Sequence, residues 1–473
     1  MKVCNAKTLL GLSVLLGAVC SLQAGAPIPP QSRKAESTLT DWLTGPNATG
    51  HRSGLRDQLT DHGVIFSGAY LADFQGNVVG GKSQGFGYFQ QLYLQLQLDL
   101  EKLVGWKGAN FYFRGYQMAG SDLSNQHIGN YFDVTELATI NSLNVSNIYL
   151  DQKLLDEQLW LKVGHLNVSK DFGSLPVFGL YIGVIDAHPP TFDFNTFYTS
   201  SPKSTWGFSS RWRATDDLEF KYGIYQATTE KNVVPNHGLN MYFQATDGIQ
   251  QFWELSWTPT FGKKSGKSIA SLPQSPAPSR SVDNPEKTGP KSTIHSQEPL
   301  IADDDSADDG YSGVYNIGAY YTNWSFTTFA GSPVRDNYGF YAFGQQLVWK
   351  ERAGSSEGIT LWSAFTYSPQ DDIVTMPFFA AAGMVWEGLI PTRDNDSLLL
   401  GSYYGNLGGD YASAQSETGL GYPTYEWVLE LGYVAHITPW LYITPDIQWV
   451  INPGGTGDIP NALVIGWELG VTF

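Results

Sequence analysis

From Leu463 to the end of the chain every second residue is apolar: Leu463, Ile465, Trp467, Leu469, Val471 and Phe473. Between them lie Val464, Gly466, Glu468, Gly470 and Thr472. A side-chain period of two marks a β-strand with one apolar and one wetter face. The same alternation recurs upstream. Leu92, Leu94, Leu96, Leu98 and Leu100 alternate with Gln91, Tyr93, Gln95, Gln97 and Asp99. Trp206, Phe208 and Trp212 alternate with Ser209, Arg211 and Arg213, while Trp253, Leu255 and Trp257 flank Glu254 and Ser256. A face of leucines opposite a face of glutamines suits a lipid–water boundary better than a soluble core.

Counting back from Phe473 predicts strands at 462–473, 440–451, 425–436, 396–404, 378–389, 358–367, 341–350 and 313–324. Further upstream come 249–259, 217–226, 204–213, 158–167, 143–151, 107–117, 86–100 and 63–73. The expected fold is all-β, a 16-stranded antiparallel transmembrane barrel. An even count returns both ends to one side, and only a closed barrel or a helix satisfies its backbone in lipid. Short turns at 214–216, 391–395 and 437–439 should be periplasmic, and long loops at 118–142, 168–203, 227–248 and 405–424 external. Loop 168–203 is the longest external one and the best candidate to fold into the lumen.

The face assignment points Arg114, Lys162, Arg211, Arg213, Glu219, Lys221, Glu254, Glu426, Glu430, Asp446 and Gln448 inward. The opposite register would set charges against lipid at about 2–4 kcal/mol each near the midplane. Lys170, Asp171, Asp186, His188 and Asp193 belong to loop 168–203 and join them as candidates. Arg114 stands out as the only charge between Gly108 and Gly120, in a strand portion expected to lie towards the external loops.

Two regions are not strand-like. Residues 263–310 carry six prolines, no aromatic residue and an acidic run, Asp303, Asp304 and Asp305 with Asp308 and Asp309. They cannot bury enough apolar surface to fold alone and read as a disordered periplasmic insertion. Such an acidic run does not by itself make a calcium site. Residues 27–62 form a periplasmic lead-in, in which Leu55 and Leu59 suggest one short helix over 53–61.

Lys2 and Lys7, the apolar run 9–19 and the small residues Ala24, Gly25 and Ala26 follow the plan of a secretory signal, expected to span 1–26. Both cysteines, Cys4 and Cys20, lie inside it, so the remainder offers no disulfide framework or thiolate metal site. Losing Lys2 and Lys7 takes the formal charge from −17 to −19, which argues against nucleic acid. Aromatic residues make up 14% of the chain at a mean hydropathy of only −0.21, as an aromatic girdle around a wet interior would give. Eight histidines are present without an HExxH pattern, and no serine or carboxylate arrangement reads as catalytic. Neither an enzyme nor a cofactor is expected.

The C-terminal block VLELGYVAHITPWLYITPDIQWVINPGG followed by NALVIGWELGVTF closely resembles the C-terminal signature of carbohydrate-selective porins of the OprB type. LEKLVGWKGANF at 100–111, WLKVGHLN at 160–167, SGLRDQLTDHGV at 53–64 and AAGMVWEGLIPTRDND at 381–396 are similar to that family's internal motifs. The chain departs from the family at 45–52 and in the length of 263–310. The resemblance implies an outer-membrane channel for passive diffusion of sugars, including monosaccharides such as glucose, into the periplasm of a Gram-negative-type bacterium. On that reading the inward residues are candidates for a constriction that binds sugars weakly enough to release them. Expected partners are sugars in transit, outer-membrane lipid and, through the strand ending at Phe473, the barrel-assembly machinery. A homo-oligomer is left open. The alternatives are a general or cation-preferring porin and a structural barrel tethered to the cell wall.

Overall fold

Period-two alternation resolves into antiparallel strands that close on themselves. The structure is a computed structural model that describes residues 42–49, 54–137, 141–229, 236–262, 310–352, 355 and 357–473. The signal at 1–26, much of the lead-in and nearly all of the 263–310 insertion lie outside the described residues. The first eight strands are β1 (Val64–Val79), β2 (Gly85–Asp99), β3 (Ala109–Gly120), β4 (Ser142–Leu154), β5 (Leu159–Leu166), β6 (Thr205–Arg213), β7 (Leu218–Ala227) and β8 (Gly248–Trp257). After a two-residue rung β9 (Thr260–Phe261) come β10 (Tyr311–Thr327), β11 (Pro333–Lys350), β12 (Gly358–Tyr367) and β13 (Phe378–Glu387). The last four are β14 (Ser397–Asn406), β15 (Tyr425–Thr438), β16 (Leu441–Ile451) and β17 (Ala462–Thr472). Each strand pairs with its sequence neighbour, β8 with β10, and β17 with β1. Setting β9 aside, the result is a closed 16-strand barrel.

The closing ladder runs from Ala69 opposite Thr472 to Val79 opposite Leu463, with a bulge at Asn77–Val79. The lead-in holds this seam at the rim where both ends meet. The Ala48 amide donates to the Thr472 carbonyl at 2.8 Å, and the Trp440 indole donates to the Trp42 carbonyl at 3.2 Å. From the helix Leu55–Asp61, the Arg56 guanidinium reaches the Phe66 and Phe473 carbonyls at 2.9 and 3.1 Å.

The faces follow the alternation. Leu94, Trp212, Trp253, Trp257, Trp427, Leu429, Leu431, Ile465 and Trp467 project outward and exposed, forming the lipid side. Their neighbours point inward. Several strands outrun their expected spans: β11 begins at Pro333 rather than near 341, and β1 continues to Val79. Inward Asn337 and Gly339 face Thr322 and Tyr320 across that extra length, which the mixed composition of 333–340 obscures in the sequence.

The rim asymmetry is only partial. The connections expected to be external include 121–141, 167–204, 228–247 and 407–424, but also five-residue turns at 80–84 and 328–332. On the rim shared with the chain ends, 155–158 and 214–217 are tight. There 100–108 holds the helix Leu100–Val104, capped by the Asp99 carboxylate accepting from the Glu101 and Lys102 amides at 3.0 and 3.1 Å. The connection containing 263–310 leaves from this same rim, between Phe261 and Tyr311.

Candidate functional site

The inward side chains form two walls of different chemistry. On β8 and β11–β16 they include Phe252, Tyr341, Phe343, Trp362, Phe379, Tyr403 and Val450, all buried. What covers them is connection 167–204. Its stretch from Phe172 to Ile185 contains no charged residue, and projected into water it would expose a contiguous apolar patch. Folded inward, Phe178 sits edge-on to Phe343 and Trp362 with ring centres 5.7 and 5.5 Å away. Phe192 packs on Tyr341 at 5.4 Å and stacks on Tyr198 at 4.8 Å. The Tyr181 hydroxyl donates to the Leu400 carbonyl at 2.9 Å and accepts the Trp362 indole N–H at 2.8 Å.

Wall carboxylates catch the backbone of the inward-folded segments. Glu430 accepts from the Ile182 amide at 3.0 Å, the Gly183 amide at 3.5 Å and the Tyr403 hydroxyl at 2.8 Å. Glu254 accepts from the Gly173 amide at 3.1 Å, the Tyr341 hydroxyl at 2.9 Å and the Lys221 ammonium at 2.7 Å. Connection 121–141 folds in as well. Glu426 accepts from the Tyr131, Phe132 and Gly454 amides at 2.9, 2.7 and 2.9 Å. Gln448 donates to the Val134 carbonyl and to Asp446, each at 2.8 Å, and the Thr135 hydroxyl donates to Asp73. The two connections touch each other through Glu136 N to Ile182 O at 3.2 Å and Val184 N to Asp133 O at 3.1 Å. Glu254, Glu426, Glu430, Asp446 and Gln448 do point inward, but beneath these segments, where all five are buried.

The wall of β2–β7 is polar. Arg114 lies midway along β3, not near its external end; its Nε donates to Gln95 at 2.8 Å and its guanidinium covers the Tyr93 ring at 5.1 Å. Lys162 donates to Asp171 at 2.7 Å and lies 5.9 Å from the centre of the Tyr149 ring. Arg211 sits 3.4 Å over Trp160, whose ring also has Lys153 at 4.8 Å. Arg213 contacts Glu219 at 3.3 Å, and Arg211 approaches the same carboxylate at 4.0 Å. Tyr112 and Tyr149 stack at 4.7 Å across β3 and β4.

Burial alone would raise the Asp171 carboxyl, but Lys162, Ser209 and Lys221 outweigh it and hold it below its ordinary value. His188 is buried and bonded to Asp193 at 2.6 Å, and Asp186 is nearly buried. Lys170 ends a short turn, Val168–Lys170. Asp133 lies within the barrel outline yet keeps water access, so it faces the lumen. Enclosure raises its carboxyl to about 6, opposed by Ser124, supported by Asp122 and Asp193, and opposed again by Lys203.

The sequence reading singled out neither Tyr93, Tyr112, Tyr149, Trp160 and Lys153 nor Asp133. Tyr93 and Tyr112 alternate with outward residues, so the face assignment already contained them. Asp133 had no strand pattern to place it. The sequence also spells G-x-S-x-G twice, at Gly354, Ser356 and Gly358, where Ser356 lies outside the described residues, and at Gly81, Ser83 and Gly85, where Ser83 bonds His127 at 2.8 Å. Here the serine is exposed in a strand-to-strand turn, whereas a nucleophile elbow joins a strand to a helix. Among the described residues no carboxylate bonds His127 and no group of three or more His, Cys, Asp or Glu is arranged to hold a metal.

The profile of the family described as carbohydrate-selective porin, OprB family, matches residues 83–473. Porin B of Pseudomonas aeruginosa is 24% identical over 461 residues, covering 93% of each chain. The high-pH structure of Pseudomonas putida OprB superposes with a TM-score of 0.75 at 20% identity, over 91% of this chain and 99% of that one. The low-pH structure of the same protein gives 0.54 at 18% identity over the same shares. Family match and closed barrel put the protein in the outer membrane of a Gram-negative bacterium, as a channel rather than an enzyme. This chain belongs to the carbohydrate-selective porin family of the OprB type.

Proposed function

We propose that the protein is a water-filled channel through which small neutral sugars, monosaccharides such as glucose among them, diffuse passively into the periplasm, with the β2–β7 wall as the sugar-facing side. The observation that carries this reading is the make-up of that wall: its charges are met by counter-charges or rings and interleaved with tyrosines. Lys162–Asp171, Lys221–Glu254 and Arg213–Glu219 leave little net field to select an ion. The polar ends of such pairs, with Gln95 and Gln97, exchange hydrogen bonds with hydroxyls, and ring faces suit the C–H side of a pyranose. Contacts of this kind are individually weak, which lets a solute leave as readily as it enters. Arg114, between Gln95 and Tyr93 at mid-height, is the residue best placed to touch the solute. Export by the 1–26 signal and assembly through the Phe473 strand belong to the same proposal.

Liposome swelling tests it. Folded protein should admit monosaccharides faster than larger oligosaccharides, and bilayer recordings should show sugar-dependent blocks. If a folded barrel gives no swelling with any monosaccharide, the reading fails and the structural role takes its place. If swelling ignores solute chemistry and current strongly favours cations, the general porin replaces it.

A further inference from the structure

Glu430 is nearly fully buried on β15, opposite Gln448 on β16. It stands at the base of a relay that ends at the passage. Its carboxylate holds the Ile182 and Gly183 amides, the Ile182 carbonyl accepts the Glu136 amide, and the Val184 amide donates to the carbonyl of Asp133, whose side chain reaches the lumen. Segment 167–204 is thus tied both to the wall and to segment 121–141, which the wall also holds directly through Glu426, Gln448 and Asp73. Contact at the base is close: a Cβ on Gly183 would come within 2.9 Å of the Gln448 side chain. Glu426 holds segment 121–141 to the wall from the same face of the same strand, through the Tyr131 and Phe132 amides. A carboxyl acceptor facing two amides makes directional bonds, so the position of residues 182–184 is set by a side chain and not by apolar contact alone.

We propose that Glu430 is a positioning residue for solute discrimination: by holding the amides of residues 182 and 183 to the wall, it fixes how far both inward-folded segments project and so the largest sugar the channel admits. This rests on the channel reading above. Glu430 touches no solute itself. Its removal acts through the displaced segments and widens the passage, whereas loss of a lumen contact would change affinity at constant width.

The test is liposome swelling with the full chain, comparing rates for a monosaccharide, a disaccharide and a trisaccharide, with folding checked by heat-dependent migration on gels. Glu430→Ala should raise the disaccharide-to-monosaccharide rate ratio roughly threefold or more. Glu430→Gln, which keeps an acceptor oxygen at the same reach, should restore a ratio close to that of the unchanged protein. A barrel that is merely destabilised would lower every rate together and leave the ratio alone. An unchanged ratio in folded Glu430→Ala overturns the proposal. Should that variant not fold, Glu430→Asp, one methylene shorter, is read the same way, and an unchanged ratio there is equally decisive. If the unchanged protein passes no monosaccharide, it is the channel reading that has failed.

Discussion

Replacing Phe178 by alanine tests whether apolar packing docks segment 167–204 in the lumen. Phe178 is fully buried, with its ring between Phe343 and Trp362. A buried Phe→Ala change costs about 3–5 kcal/mol, which already includes its aromatic contacts. The undocked segment would stand in a water-filled lumen and recover some hydration, so the low end applies, about 3 kcal/mol or some two orders of magnitude in the docking equilibrium. The barrel ladders do not involve this side chain and should keep their stability. Hydrogen exchange read by mass spectrometry separates the two: peptides covering 178–186 should exchange about a hundredfold faster, while those from β15 stay as protected as before. If the Ile182 and Gly183 amides keep native protection in the variant, aromatic packing does not hold the segment and the uncharged run 172–185 needs another explanation.

Arg114→Ala should shorten sugar-dependent current blocks about fivefold, the weight of roughly 1 kcal/mol for one hydrogen bond, and unchanged block kinetics would remove it from the solute path. Asp133, with a carboxyl near 6, should lose its charge between pH 7 and pH 5, so reversal potentials in a salt gradient should show cation preference falling across that window, and Asp133→Asn should abolish the step. Because this folded-state value lies above the ordinary carboxylate value of about 3.9, proton uptake favours the folded arrangement, and docking of 121–141 should tighten rather than loosen as pH falls from about 6 to 4. Asp171 has the opposite sign: held low by Lys162, it contributes stability at neutral pH that is lost as pH falls through its folded value. Lys162→Met should therefore loosen residues 168–172 at neutral pH by about 1–3 kcal/mol and be relieved by acid, which limited proteolysis at two pH values would detect.

The strands and their faces were legible because lipid and water impose a period of two that no local propensity can imitate. The glutamines of β2, the leucines opposite them and the inward direction of Arg114, Lys162 and Glu430 follow from that alone. What Glu426 and Glu430 do inward was not legible. Their partners are backbone amides of residues 131, 132, 182 and 183, far away in the chain, and an amide carries no side-chain signature. Length nominated 168–203 as an infolding loop, but its physical cause is the uncharged stretch 172–185, which was equally visible. Inward infolding of 121–141 had no comparable signal.

The seam between β1 and β17 bears on how this molecule comes into being. Val64–Val79 and Ala462–Thr472 are the first and last strands among the described residues, yet they are hydrogen-bonded neighbours. Until those two strands pair, every partial sheet has two unpaired edges and no tolerable way to lie in lipid. The chain therefore has no useful half-built form: a break anywhere near Phe473 would cost not one strand but closure itself. Arg56 and the Ala48 amide, reaching to the Phe473 and Thr472 carbonyls, act as a latch that fastens only once the seam has closed.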